Sequence, residues 1–277
     1  MGLAYSLNCE FDNALQCFQT ALKINDMAKA LWGVAAMKCM ISYFTYFVRG
    51  EITKGYNASR EALALADQSG DIYSKALAHT CHGISSYGMG RPEEAKDHLE
   101  AGIAACEKID LFFWSALAHS HLGGLYFDSR DYIQSALHYE RVISLLEDKQ
   151  IIPYWVNLNR MWWAKAKIMN NEKDIHLDAL VDYEKDNLVA FCDGSMKRSL
   201  GEIYGMIDHR HPAKPESWLK KAIEADKKNG MLFNLGLDTA AYAALLKQKG
   251  NSRKADKTYG EALEIFRKCG SDGIRVA

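Results

Sequence analysis

Proline is nearly missing from this chain, with four in 277 residues. Proline breaks helix interiors, so its scarcity leaves long helices open almost everywhere. No apolar run reaches the roughly 20 residues needed to span a bilayer. The richest stretch, Met37 to Val48, is short and carries Lys38. The N-terminus has no basic region followed by an apolar core, so no secretory signal is expected. Excess charge is also lacking. A formal net charge of -1 argues against a broad basic surface for nucleic acid. The seven cysteines form no CxxC pair, and their number is odd. That pattern fits free thiols in a reducing cytoplasm rather than a disulfide framework. Neither a P-loop pattern nor a G-x-S-x-G nucleophile turn occurs.

What is present is a period. Gly50-Glu51, Gly90-Arg91, Arg130-Asp131, Asn170-Asn171 and Gly250-Asn251 fall on one forty-residue ladder. Gly70, Asp110, Gln150, Gly230 and Gly270 keep the same step at the ends of the following helices. Such positions suit the left-handed residue that closes a helix. Each period carries two helical patterns. In one, Tyr73–Met89 is the first helix (A) and Pro92–Ile109 the second (B), with Pro92 at a helix start where its missing N–H costs nothing. Neither helix can bury its apolar face alone, so stacked pairs must share a continuous core. The register slips near residues 172–190 and 208–215, where longer loops are expected.

The residue types identify the repeat. Gly2-x-x-Tyr5 with Ala14-x-x-x-Phe18 fits L-G-x-x-Y followed by A-x-x-x-F, as does Leu122-Gly123-x-x-Tyr126 with Ser135-x-x-x-Tyr139. Leu200-Gly201-x-x-Tyr204 and Ala255-x-x-x-Tyr259-x-x-Ala262 continue the series. The chain therefore resembles a tetratricopeptide array. The fold implied is all-α, a right-handed α–α superhelix of roughly six and a half helix pairs, as one solenoid over residues 1–277. The forty-residue period, together with Asn229-Gly230-Met231, Leu245-Leu246-x-x-x-Gly250 and Ala262 to Gly270, resembles the long-repeat arrays of bacterial signal-transduction ATPases of the maltose-activator and cyclase-linked kinds. That resemblance implies a sensor, scaffold or regulatory arm without chemistry of its own.

In such arrays the A helices line a concave groove. Mapped onto this chain, the groove positions are Met37, Met40, Phe44 and Phe47, then Leu77, Ile84 and Tyr87, then Leu117 and Phe127. Asn157, Arg160, Lys167 and Arg198 follow. The wall would pass from apolar to basic, and the partner expected is a protein or peptide, another domain of the same chain included. The carboxylate clamp of chaperone-tail binders is not reproduced. A sensing pocket near Trp114, Trp155 and Trp162 is the alternative, although Trp155, Trp162 and Trp163 also suit filling of an irregular junction. No cofactor, metal, nucleic-acid or membrane contact is expected. His79, His82, His119 and His121 read as core histidines of successive A helices, and His209 and His211 as loop residues. Glu93-Glu94, Asp131 and Glu172 read as acidic residues complementing helix N-termini. The lysines from Lys214 to Lys257, interleaved with acids, read as a solvated face.

The ends carry one more expectation. Gly2 and Tyr5 enter the repeat part-way through its first helix, and Leu3, Leu7, Leu15, Leu263 and Phe266 stand where polar caps would be. An excised part of a longer polypeptide is expected, with self-association through the open ends.

Overall fold

A computed structural model describes residues 1–172, 175–207 and 213–271. Fourteen α-helices run through them, with no strand among the described residues. They are α1 Gly2–Leu7, α2 Phe11–Met27, α3 Leu31–Ile41, α4 Ile52–Ser69, α5 Ile72–Gly88, α6 Pro92–Glu107 and α7 Phe112–Asp128. Then follow α8 Tyr132–Glu147, α9 Pro153–Met169, α10 Leu177–Lys185, α11 Ala190–Ile207, α12 Lys214–Asn229, α13 Leu232–Gln248 and α14 Ser252–Cys269. A π-helical turn, Ser42–Phe47, continues α3. Paired in chain order, these are the helix pairs of a repeat array, the first with an A helix of six residues.

The ladder read from the sequence is a ladder of left-handed backbone. Gly50, Gly70, Gly90, Gly230, Gly250 and Gly270 have positive φ, and so do Asp110, Arg130, Gln150 and Asn171. Cys9, Lys29 and Ile152 do as well, without a sequence signal. Each of these residues except Ile152, which precedes α9 as its N-cap, follows a helix, where a left-handed turn lets the last carbonyls find partners. At Gly70 the amide donates to the Ala66 and Asp67 carbonyls. The first register slip coincides with α10, which spans nine residues. The second falls mostly on residues 208–212, which lie outside the described residues, as do His209 and His211.

The described residues divide into two compact units: Met1–Leu125 with Cys269–Ser271, and Tyr126–Lys268. In the first, the small-residue motif lets helices approach closely. A Cβ on Gly2 would lie 2.6 Å from the Phe18 ring, and one on Gly83 would lie 2.8 Å from Leu99 and 3.0 Å from the Ala95 carbonyl. Gly thus seats a large residue of the following B helix. The second unit repeats the device, with Gly201 against Leu219 and Gly236 against Phe266. Phe266 is therefore buried, against Phe233 as well, and not open at the array's end as the sequence suggested. Cys269 and Ser271 are buried too, and Ser271 Oγ donates to the Gly88 carbonyl within the first unit.

Candidate functional site

The apolar half of the expected groove needs correction. Phe44, Phe47 and Ile84 are 4%, 7% and 0% exposed, so they are core. Phe44 meets Tyr43 and Trp114 edge-on, at 4.8 and 6.2 Å between ring centroids. Phe47 lies beside His121 and over Gly88. The π-helical turn explains the first two. Counting groove positions assumes 3.6 residues per turn throughout, and the wider turn at Ser42–Phe47 shifts every face after it. Its hydroxyls are absorbed internally: Ser42 Oγ donates to the Gly55 carbonyl and Thr45 Oγ1 to that of Ile41. Ile84 is buried because α5 packs against α3, α4, α6 and the π-turn at once. Leu77 and Leu117 are core as well. Met37, Met40, Tyr87 and Phe127 remain half-buried.

The basic residues are present but engaged. Arg160 pairs with Glu147, donates to Asn157 Oδ1 at 3.1 Å, and lies 5.3 Å over the Tyr183 ring. Lys167 pairs with Glu172 at 2.8 Å and lies 4.4 Å over Trp163. Arg198 is bound to the buried Asp238 at 2.6 Å. The first two pairs are partly exposed, where an ion pair is weak and exchangeable. Arg198 is a different case. Asp226 and Asp238 are both fully buried, and a Cβ on Gly194 would overlap the Asp226 carboxyl, so that glycine makes its room. Burial, then the Asp238 charge, pushes the Asp226 carboxyl well up; burial, offset by Arg198, pushes Asp238 up to about 6. This is a structural pair, not a groove wall.

Two sequence positions, Asn157 and Arg160, do line an opening. A cleft of about 270 Å³ lies where α8 ends and α9 begins. Its walls include Leu146, Ile151, Pro153 and Val156, with Glu147, Gln150, Asn157 and Arg160 around them. Toward the start of α8, away from this opening, Ile133 and Leu137 are 58% and 51% exposed one helical turn apart. Trp155 is buried against Trp162 and Phe191, a filling role. Trp114 is buried among Phe44 and Phe113.

A second constellation sits on α4, α5 and α6. His82 Nε2 is 3.1 Å from Glu94 Oε1, and His82 Nδ1 is 3.0 Å from Ser59 Oγ. Tyr56 OH donates to Glu94 Oε1 at 2.8 Å, and Arg91 donates to Tyr56 OH at 2.7 Å and to Glu94 Oε2 at 3.2 Å. His79 Nδ1 lies 3.0 Å from His98 Nδ1. Burial first, then the neighbouring His98, holds His82 down to about 4; burial lowers His79 and His98 also. Burial raises Glu94, but hydrogen bonds from Tyr56 and Arg91 more than offset it, so its carboxyl is held below the usual range. The sequence reading took His79 and His82 as core histidines of one A helix. The structure joins His79 to His98, and His82 to Glu94, across one A–B pair. His98 was not singled out. Its signal is two same-face spacings, His79-x-x-His82 on α5 and Glu94-x-x-x-His98 on α6.

No helix among the described residues is long and apolar enough to cross a membrane. No protein-family model matches the sequence, and no curated protein matches it. Solved structures do share the fold. RapI in its apo form is 12% identical, with 96% of this chain and 95% of that chain covered and a TM-score of 0.68. Aspartyl phosphate phosphatase F from Bacillus subtilis is 13% identical, with 100% of this chain and 70% of that one covered and a TM-score of 0.64. The chain is thus an all-helical repeat protein of the tetratricopeptide-like kind that these structures share.

Proposed function

We propose that this chain is a non-enzymatic regulatory module that binds a protein or peptide partner. The observation that carries the reading is the cleft at the α8–α9 turn, where sequence-read groove positions meet an apolar recess. An apolar side chain of a partner fits among Leu146, Ile151 and Val156. The exposed Glu147–Arg160 pair beside it can exchange its internal partner for a charge on the peptide, since such pairs contribute only about 0–1 kcal/mol. Within the same unit, half-buried Phe127 and the paired Lys167 are further candidate contacts; Met37, Met40 and Tyr87, half-buried in the first unit, are candidates by themselves, and Met suits contacts with varied partners. The helical-repeat likeness to regulators of the Rap kind supports this class. Phosphatase is part of the name of aspartyl phosphate phosphatase F and is not carried over to this chain. The finer placement, as an arm of a signal-transduction ATPase acting in the cytoplasm, rests on the sequence resemblance alone.

The test is selection of peptides from a random display library on the purified chain, followed by affinity measurement by fluorescence anisotropy. Ile151→Asp and Arg160→Ala, both at partly exposed positions, are each expected to weaken a selected peptide at least tenfold, with unchanged helical content. Failure to enrich any peptide, or peptides indifferent to both substitutions, counts against the reading.

A further inference from the structure

One polar contact, between His82 on α5 and Glu94 on α6, lacks a proton when Ser59 donates to its own helix. Ser59 Oγ lies 2.9 Å from the Tyr56 carbonyl and donates its single proton there. Toward His82 it can therefore only accept, so His82 Nδ1 carries the proton. The other nitrogen, Nε2, then presents a lone pair to Glu94 Oε1 at 3.1 Å. That oxygen already accepts from Tyr56, and the other carboxylate oxygen accepts from Arg91. In this arrangement two acceptors face each other beside the buried His82 ring, a clash that a cation bound between them would relieve. A third donor atom joins them: one atom each of His82, Glu94 and His98 lie within 4.8 Å of one another.

We infer that His82, Glu94 and His98 form a binding site for one divalent transition-metal cation, of which Zn²⁺ is the type. Zn–N and Zn–O bonds of about 2.0–2.2 Å put tetrahedral ligand atoms about 3.4 Å apart. The His82–Glu94 edge is already near that length, and the remaining closure, at most about 1.4 Å, is within reach of a Glu94 or His98 side-chain rotation. Two imidazoles and a carboxylate favour Zn²⁺ and its transition-metal neighbours over Mg²⁺ or Ca²⁺, which prefer oxygen throughout. The surroundings have the form of an outer shell. Ser59 fixes the His82 tautomer, and His79, 3.0 Å from His98, is placed to fix that ring in the same way. Arg91 opposes the cation by charge, while its hold on Glu94 Oε2 leaves Oε1 as the single ligand atom. Three protein ligands leave a coordination position for water or for a partner's side chain. This inference stands apart from the α8–α9 cleft, which lies in the other unit.

The experiment uses the whole chain, stripped with chelator, and titrates Zn²⁺ by calorimetry, with Co²⁺ as a spectroscopic substitute. Expected are one Zn²⁺ per chain, a raised Tm, and tetrahedral Co²⁺ absorption without a thiolate charge-transfer band. Millimolar Mg²⁺ or Ca²⁺ should not compete. Glu94→Gln, which keeps the side chain's size, and His98→Ala should each weaken Zn²⁺ at least tenfold. Ser59→Ala, which keeps all three ligands, should weaken it by about tenfold. His176→Ala, at an exposed site elsewhere, should change nothing. Circular dichroism checks that each variant is folded. No Zn²⁺ uptake, uptake indifferent to Glu94→Gln and His98→Ala, or a cobalt–thiolate band would each overturn the inference.

Discussion

Asp226 and Asp238 bury two carboxyls beside one guanidinium, and that arrangement has a measurable pH signature. The folded Asp238 carboxyl is pushed up to about 6 from 3.8, chiefly by burial. A carboxyl raised on folding binds its proton more tightly in the folded state. Its contribution to stability is therefore full below about pH 3.8 and is lost as pH rises through about 6, on the order of 3 kcal/mol in all. His82, lowered to about 4 by burial and by His98, acts oppositely: its contribution is present above about 6.5 and is lost as pH falls. Comparing the wild type with Asp238→Asn cancels the histidine. The stability advantage of the wild type over this variant should shrink between pH 4 and pH 7 in urea melts; a constant difference sinks the assignment. Phe44 gives a second prediction at this scale. Because it is core, Phe44→Ala should cost about 3–5 kcal/mol, seen as a lowered urea midpoint. A loss below about 1 kcal/mol would return it to the surface.

Between elements, the glycines of the repeat motif do two different jobs. Gly83 lets α5 settle against α6, and a Cβ there would meet the Ala95 carbonyl, which is backbone and cannot swing away. Gly83→Ala should cost about 1–3 kcal/mol by overpacking. Gly260, inside α14, has nothing within 4 Å of its would-be Cβ. There Gly260→Ala should stabilise by about 0.5–1 kcal/mol, because alanine loses less backbone freedom on folding. The opposite signs of these two substitutions, read from thermal melts, test the packing account directly. Two gains would mean that helix propensity governs both sites, and two losses that close approach does; either outcome refutes the account. The periodic pattern revealed that small residues recur. Only the packed pair shows which of them faces a neighbour.

At the scale of the whole molecule, association is expected at one end more than the other. Phe266, Cys269 and Ser271 are buried, which removes apolar surface from the chain's close. At the opening, Leu3, Ile24 and Met27 are 39%, 62% and 84% exposed. Ile24 and Met27 lie about one turn apart on α2, and exposed apolar side chains that adjoin in this way mark contact surfaces. Light scattering over a concentration series should show mass rising with concentration, and Ile24→Ser with Met27→Ser should abolish the rise. A mass that stays constant at high concentration, or a rise untouched by this double change, refutes end-directed association.

The sequence by itself determined the helices, their pairing and their period. Local chemistry suffices for that: few prolines, left-handed closing residues each forty apart, and Gly and Ala at crossing points. These features act within one or two helical turns, so they are written in consecutive residues. The tertiary structure decided which faces are covered and which polar groups meet. The π-turn at Ser42–Phe47 rotates Phe44 and Phe47 into the core, a shift with no proline or glycine within it to announce it. His82 finds Glu94 and His98 only because α5 folds back on α6, and Arg198 finds Asp238 forty residues away. Burial, acidity and ligand geometry depend on neighbours from other helices. They are properties of the packed chain that the helical period does not encode.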